Sequence, residues 1–267
     1  MADSTFQMAG GLYTGAGALE KIPEEIKAKA LKKPLLVTDK GVVKVGGSGK
    51  VEEELTKNEI SFALYDGVVP NPTDVCIEEC HSVYVKEGCD SIIAAGGGSV
   101  MDCAKGCGIL CGGKEPINYY EGINKMQAPL PYYFAVPTTA GTGSESTLFA
   151  VVTTTKEDHP RKMVLYDARM LPNVAVVDPT LMVGLPPFIT ASTGCDALTH
   201  AIESYISLGG NEYSNGHSLH AVTLIGKSLL RAVPIGNDPD AGEKMVYAQP
   251  IPCVAFLHPT CGSGNTS

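Results

Sequence analysis

The sequence predicts an α/β domain built on a parallel sheet, followed by a helical domain. Through the first two thirds of the 267-residue chain, short apolar runs alternate with helix-like stretches. That alternation is typical of a parallel sheet with helices on both faces. After the Leu-Pro-Pro run at residues 185–187, only helix-like stretches follow. We therefore expect an α/β domain over residues 1–186 and a helical domain over residues 187–267.

Five apolar runs predict the strands of the sheet, because each is short and bounded by turn-forming residues. These strands are expected at residues 34–39, 60–65, 91–95, 132–136 and 174–177. Helices are expected at residues 50–58, 74–87, 100–111, 189–207, 215–233 and 240–248.

The composition is that of a globular protein and narrows the range of partners. Hydrophobic residues make up 44% of the chain, which is too apolar for a disordered protein. The net charge of −9 disfavours nucleic acid or an anionic membrane as a partner. The chain has neither a secretory signal pattern nor an uninterrupted apolar stretch of about 20 residues, so we expect a cytoplasmic protein.

The nine cysteines include no CxxC pair, which makes a zinc ribbon or a thioredoxin-type site improbable. Cys103, Cys107 and Cys111 recur every four residues and would line one face of a helix. We interpret them as small buried packing residues, with an iron–sulfur site as the alternative.

A triple-glycine turn, GGGS at residues 96–99, follows the third predicted strand and precedes a helix. Glycines allow the backbone to approach a pyrophosphate, and the helix offers it N–H groups and the positive end of its dipole. Asp102 would fall in the first helical turn, where a carboxylate suits the dipole. The run is not the GxGxxG fingerprint, so a tight turn without a ligand is the alternative.

Two further segments that follow predicted strands have the chemistry of a dinucleotide site. Asp39 ends the first strand and could bind a ribose hydroxyl, which would favour NAD over NADP because a carboxylate repels a 2′-phosphate. The run PTTAGTGSE at residues 137–145 presents backbone N–H groups and hydroxyls to an anion or a nicotinamide amide. A turn-forming acid and a flexible loop are the alternatives.

Asp196 and His200 are four residues apart on a predicted helix and therefore share one face. One carboxylate and one imidazole are half of a tetrahedral site for a divalent metal. His217 and His220, on the next predicted helix, are candidates for the remaining ligands. The alternative, favoured by spacing alone, is an amphipathic helix with a solvated polar stripe.

Taken together, these motifs resemble the iron-containing (group III) alcohol dehydrogenase family. The matching runs are GGGSVMDCAK at 96–105, PTTAGTGSE at 137–145 and the long segment at 178–207, with VTDKG at 37–41 and VPNPT at 69–73 in equivalent places. The resemblance covers about residues 10–249. It implies a Rossmann-like N-terminal domain, an all-α C-terminal domain of the dehydroquinate synthase-like type, and a cofactor and metal between them.

The resemblance also implies the cofactor contacts. Asp39 would contact the adenosine ribose, Asn71 would lie near the adenine, and Lys162 and Leu181 would close on the nucleotide. The residues expected around the pyrophosphate are Gly97, Gly98, Ser99 and Asp102. Those expected to line the cofactor cleft are Thr138, Thr139, Thr142, Thr147, Phe149 and Val151.

By the same resemblance, Asp196 and His200 would be the first two ligands of Fe²⁺, or alternatively of Zn²⁺. The implied reaction is hydride transfer between a small primary alcohol or diol and NAD, with the metal polarising the alcohol oxygen. The motifs leave the alcohol open, because enzymes for lactaldehyde, 1,3-propanediol, butanol and ethanol share them. Members of the family commonly form homo-oligomers.

The last residues of the chain depart from the family's pattern. In the family, the third and fourth metal ligands are histidines. In this sequence, the position of the third is occupied by Asn265, and the position of the fourth would lie beyond Ser267. We therefore expect a C-terminally truncated member with low or no dehydrogenase activity, because two ligands hold a metal weakly. A product that binds NAD without turnover is the main alternative. A dehydroquinate-synthase-like lyase would need basic residues, and the segment 178–207 contains none.

Overall fold

The computed structural model describes residues 9–155, 159–182, 185–208, 210–235 and 238–248. By their contacts, these residues form two compact units. The first, which we call the α/β unit, comprises residues 9–138 and 148–181. The second, which we call the helical unit, takes the loop at 139–147 and the described residues from 182 onward. The domain boundary at residue 186 stays a prediction.

A six-stranded parallel sheet forms the frame of the α/β unit, which confirms the α/β fold class. Its strands are β1 Gly11–Thr14, β2 Pro34–Val37, β3 Ala63–Tyr65, β4 Ser91–Gly96, β6 Tyr132–Pro137 and β9 Val174–Val177. Their order across the sheet is β1-β9-β6-β4-β2-β3, and neighbours run parallel. All residues of β2, β4 and β9 are buried, which explains why these strands have continuous apolar sequences.

The described helices of the α/β unit are α1 Lys21–Ala28, α2 Lys40–Lys44, α3 Gly47–Lys57, α4 Asp74–Glu87 and α5 Gly98–Gly112. Alternate residues of β2 and β4 belong to two separate apolar clusters, one on each face of the sheet. Helices α4 and α5 contribute to the first cluster, and α1 and α3 to the second. Helices therefore cover both faces, as the sequence predicts.

The order in which strands are added to the sheet reverses between β2 and β4, which lie side by side and parallel with Val37 opposite Ala94. From β2 the chain proceeds to β3 on one side, whereas from β4 it proceeds to β6 on the other. Open α/β sheets bind ligands beyond the carboxyl ends of the strands at such a point. The topology therefore directs attention to the residues that follow β2 and β4.

Four predicted boundaries in the α/β unit are wrong by two or three residues. The strand expected at 60–65 is limited to Ala63–Tyr65, and the strand expected at 34–39 ends at Val37. Helix α3 begins at Gly47, three residues before its expected start. Helix α5 begins at Gly98, two residues before the expected start, because part of the glycine run adopts helical geometry. Asp102 therefore lies in the second turn of α5, not in the first as predicted.

A second sheet was not predicted. Its strands are β5 Gly122–Ile123, β7 Phe149–Thr154 and β8 Arg161–Tyr166, in the order β5-β8-β7. Strands β7 and β8 are antiparallel, with Val151 opposite Val164. Buried and more exposed residues alternate along β7, so it lacks the continuous apolar run by which the parallel strands were recognised.

Three helices form the described part of the helical unit beyond its loop, as predicted. They are α6 Pro187–Ile206, α7 Glu212–Ile235 and α8 Pro239–Ala248. Ala197, Ile225 and Met245, one from each helix, meet in its apolar cluster. In the described part of the chain, we find no helix with the length and apolar character needed to cross a membrane.

Candidate functional site

Helix α5 starts where β4 ends, and its N-cap is a glycine. Gly97 has an extended backbone and makes no side-chain cap hydrogen bond to the 15-residue helix. A helix N-terminus without a capping side chain can direct backbone N–H groups and its dipole at an anion. This end of α5 therefore has the properties of a phosphate site.

Gly96 permits β4 and α5 to pack closely. A Cβ atom at this position would lie 2.5 Å from Cγ2 and 2.6 Å from Cβ of Val100. Close strand–helix packing of this kind is one of the roles of glycine in dinucleotide-binding loops.

The residues that follow β2 lie at the same edge of the sheet. The Thr38 hydroxyl donates to the carbonyl of Ala95 at 2.8 Å, which joins the ends of β2 and β4. Asp39 follows, half-buried, and its Oδ1 accepts from the Val42 N–H at 2.9 Å as the N-cap of α2. The structure thus places Asp39 at the switch point and also gives it a turn-forming role.

Asn71 is brought next to the start of α5. It is exposed and has a left-handed backbone with φ of 53°, and its N–H donates to Oγ of Ser99 at 3.2 Å. Thr138, at the end of β6, donates its N–H to the carbonyl of Gly96 at 3.1 Å. Residues from two other predicted motifs therefore contact the glycine turn.

Asp102 faces strand β7. One of its carboxylate oxygens accepts from the Val151 N–H at 3.1 Å, and the residue is 9% exposed. Lys162 is exposed on β8, opposite Thr153. Leu181 is buried in the apolar cluster that includes Leu36. The contacts of these residues with a nucleotide stay predictions.

Phe149 begins β7 in the α/β unit and is half-buried. The remaining predicted site residues lie in the helical unit: Thr139, Thr142, Thr147, Asp196 and His200. Their loop packs on α6, because a Cβ atom at Gly141 would lie 2.6 Å from Cβ of Thr193, one turn before Asp196. Within the loop, the Thr147 hydroxyl donates to the carbonyl of Ser144 at 3.4 Å.

Asp196 and His200 lie on one face of α6, with Oδ1 and Nε2 3.8 Å apart. Both side chains are partly exposed, and an oxygen with an imidazole nitrogen suits Fe²⁺ or Zn²⁺. Across the described residues, however, no three His, Cys, Asp or Glu side chains are grouped to hold a metal. His217 and His220 are exposed on α7, and Asn265 lies outside the described residues. As predicted ligands, the two residues would provide half of a tetrahedral set.

Sequence reasoning missed two residues that shape this region. Thr38 joins two strand ends, and Lys105 of α5 is fully buried with its ammonium donating to the carbonyl of Phe149 at 2.9 Å. A signal for Lys105 was present, because Asp102 and Lys105 are the only charged residues in the otherwise apolar sequence 98–112.

This arrangement of a glycine-capped helix and an acidic residue at the switch point of a parallel sheet is that of dinucleotide-binding α/β proteins. The sequence profile of iron-containing alcohol dehydrogenase matches residues 10–179. The profile described as Fe-containing alcohol dehydrogenase family, C-terminal, matches residues 190–262. The chain belongs to the iron-containing alcohol dehydrogenase family.

Individual relatives agree with this assignment. The 1,3-propanediol dehydrogenase of Citrobacter freundii is 41% identical over 94% of this chain and 65% of its own length. The solved alcohol dehydrogenase from Oenococcus oeni is 40% identical, with a TM-score of 0.91 over 95% of this chain and 66% of its own. Sulfoacetaldehyde reductase from Bifidobacterium kashiwanohense, solved in complex with NAD⁺, is 31% identical, with a TM-score of 0.86 over 96% of this chain and 67% of its own. The chain spans 62–65% of the length of the first curated relatives it matches.

Proposed function

We propose that the chain binds NAD at the carboxyl edge of its parallel sheet and acts as an oxidoreductase on a small primary alcohol or diol. The observation that carries this proposal is the glycine-capped N-terminus of α5 at the switch point, beside Asp39. Membership of the family and the NAD⁺ bound by a solved relative support it.

In this proposal, the N–H groups at the start of α5 hold the pyrophosphate, with contacts from Gly97, Gly98 and Ser99. Asp39 accepts from the adenosine ribose hydroxyls and repels a 2′-phosphate, which selects NAD. Asn71 lies on the adenine side, with Lys162 and Leu181 closing on the nucleotide. The rest of the cofactor is held by Thr138, Thr139, Thr142, Thr147, Phe149 and Val151.

Asp196 and His200 would hold Fe²⁺, or alternatively Zn²⁺. When bound, a divalent metal supplies Lewis-acid polarisation of the alcohol oxygen. The task of the chain's own residues is then to hold the nucleotide and the alcohol in one orientation and to exclude water.

The substrate, location and assembly belong to the same proposal. The name of the Citrobacter relative supports a short diol such as 1,3-propanediol. The described cysteines are free thiols, which supports a reducing cytoplasmic location. A homo-oligomer is proposed from the resemblance to the family.

The second candidate is a protein that binds NAD without turnover. The observation in its favour is that Asp196 and His200 are joined by no third ligand among the described residues. Two ligands bind a metal weakly, so this candidate predicts NADH binding together with little bound metal.

A fluorescence titration with NADH and NADPH tests the cofactor site. We expect saturable binding that is at least about tenfold tighter for NADH, equivalent to about 1.4 kcal/mol. Asp39→Asn is the sharpest variant, because asparagine preserves the N-cap of α2 but removes the charge. It should weaken NADH binding and reduce the preference over NADPH. Glu24→Gln, which removes an exposed carboxylate on α1, should change neither.

Metal analysis and turnover separate the two candidates. The enzyme requires stoichiometric Fe²⁺ or Zn²⁺ and NADH production from ethanol, 1,2-propanediol or 1,3-propanediol. Saturable NADH binding with metal content near zero and no turnover would favour the second candidate. Absence of NADH binding by the unmodified chain would contradict both.

A further inference from the structure

Strand β7 has one edge that faces away from β8, and alternate residues on that edge form hydrogen bonds with elements of the proposed cofactor site. In the order β5-β8-β7, one edge of β7 pairs with β8. Among the described residues, the other edge pairs with no strand and makes only a single β-bridge, from Thr153 to Thr73. In an extended strand, the N–H and C=O groups of every second residue point to the same edge. Residues 149, 151 and 153 share such an edge, and it is the edge away from β8.

Each of these positions has a partner from an element of the proposed site. Lys105 Nζ donates to the carbonyl of Phe149 at 2.9 Å, and the Val151 N–H donates to Asp102 at 3.1 Å. The Thr153 N–H donates to the carbonyl of Pro72 at 2.8 Å, in the segment that carries Asn71. The edge strand is therefore held by α5 and by the 69–73 loop.

The burial of Lys105 is the unusual part of this arrangement. Its exposure is 0%, although a lysine is rarely fully buried unless its charge has partners. Asp102 lies three residues earlier and therefore on the same face of α5. Lys105 and Asp102, one helical turn apart, therefore form hydrogen bonds with a carbonyl and an N–H of the same strand. Such charge-assisted hydrogen bonds are stronger than neutral ones.

We propose that Lys105 and Asp102 are positioning residues, which fix β7 against α5 and so set Phe149 and Val151 relative to the glycine turn at the start of that helix. The inference rests on the proposed NAD site, in which Phe149 and Val151 line the cofactor. In this proposal, Lys105 acts through its hydrogen bond to β7. Its contribution is the register of the strand, and through it the shape of the nucleotide site.

The test compares Lys105→Met, which keeps the length but removes the donor, with Lys105→Arg, which keeps a cationic donor. We expect Lys105→Met to weaken NADH binding at least about tenfold relative to the unmodified chain. Lys105→Arg should retain most of the affinity of the unmodified chain, because it keeps a cationic donor. Hydrogen exchange in peptides covering residues 149–155 should accelerate in Lys105→Met only. If Lys105→Met does not fold, Lys105→Gln, which keeps a neutral donor on a shorter arm, replaces it.

Ile26→Val is the matched control, because Ile26 is fully buried on α1, in the apolar cluster on the face of the sheet opposite α5 and β7. It should lower the melting temperature and leave NADH affinity within about twofold. If Lys105→Met lowers stability but binds NADH as tightly as Ile26→Val does, the positioning role is overturned and the proposed function stands. If the unmodified chain does not bind NADH, the proposed function itself fails.

Discussion

At Gly96, a single hydrogen in place of a side chain decides how closely α5 approaches β4. The nearest atoms to a Cβ there belong to Val100, which is β-branched and fully buried. Such a side chain cannot swing away, because its rotamer is restricted and its surroundings are packed. The glycine is therefore required by the packing beneath the phosphate site.

We expect Gly96→Ala to destabilise the chain by about 1–3 kcal/mol through overpacking, and to weaken NADH binding by displacing the start of α5. Urea denaturation and an NADH titration measure the two effects. Gly49→Ala in α3 is the matched control, since a Cβ there meets nothing within 4 Å. Gly49→Ala should raise the free energy of unfolding by up to about 1 kcal/mol, because alanine reduces the backbone entropy of the unfolded chain. Equal stability of Gly96→Ala and the unmodified chain would show that α5 can move outward without cost.

At the scale of elements, helices α4 and α5 meet through their cysteines. Cys76 and Cys103 have sulfur atoms 3.7 Å apart, and Cys80 and Cys107 are fully buried in the same cluster. Hydrogen bonding to Cys103 and Cys107, together with burial, raises the pKa of Cys80 well above its usual range. Cys103 and Cys107 are fully buried, as the packing interpretation of the cysteine repeat predicts, whereas Cys111 is only partly buried. Burial should keep reagents away from the thiols at this interface.

This interface predicts a graded pattern of thiol labelling by N-ethylmaleimide, followed by peptide mass spectrometry. Cys195 is exposed on α6 and should react first, whereas Cys76, Cys80 and Cys103 should react only in denaturant. Burial raises the pKa of Cys89 to about 11, so its labelling rate should still increase between pH 8 and 10 as the thiolate forms. In urea the rates should converge. Labelling of native Cys103 as fast as Cys195 would contradict the buried interface.

The elements that the sequence predicted well have local signals, either capping residues at both ends or an uninterrupted buried apolar run. The helix at 74–87 was predicted with its observed bounds because Thr73 caps it and Gly88 ends it in a left-handed conformation. The strand at 174–177 was equally clear because all its residues are buried. Strands β7 and β8 were missed because their burial alternates, and β7 draws part of its bonding from side chains of α5. That pairing depends on contacts between residues 44–49 positions apart, which no local pattern encodes.

The candidate site, like the fold, was predictable only where its residues follow elements with a local sequence signal. Asp39 and the glycine turn could be placed because they follow recognisable strands, and the sheet topology brings their strands together. Lys105 could be singled out only as a charged residue in an apolar run, because its partner, the carbonyl of Phe149, lies 44 positions away and no local pattern indicates it. The grouping of the 139–147 loop with α6 likewise depends on the approach of Gly141 to Thr193, far away in sequence.

At the scale of the whole molecule, the two units differ in the size of the side chains in their cores. In the helical unit, the described buried cluster is mostly alanine: Ala140, Ala197, Ile225, Ala232, Ala241, Met245 and Ala248. The α/β unit buries leucine, isoleucine, valine, phenylalanine and tyrosine on both faces of its sheet. Because stabilisation follows the buried apolar area, at roughly 25 cal/mol per Å², the helical unit should be the less stable of the two.

We therefore expect unfolding in two steps, with the helical unit first. Hydrogen exchange at increasing urea should expose amides of α6, α7 and α8 before those of β4 and β6, and NADH should raise the midpoint of the second step. Ile225→Val should lower only the first midpoint and Ile92→Val only the second, and each should reduce the free energy of unfolding of its own step by about 0.5–1.5 kcal/mol. Both residues are fully buried, so the variants remove the same methyl group from different cores. A single transition, shifted equally by both substitutions, would instead mean that the two cores share one cooperative unit despite their different composition.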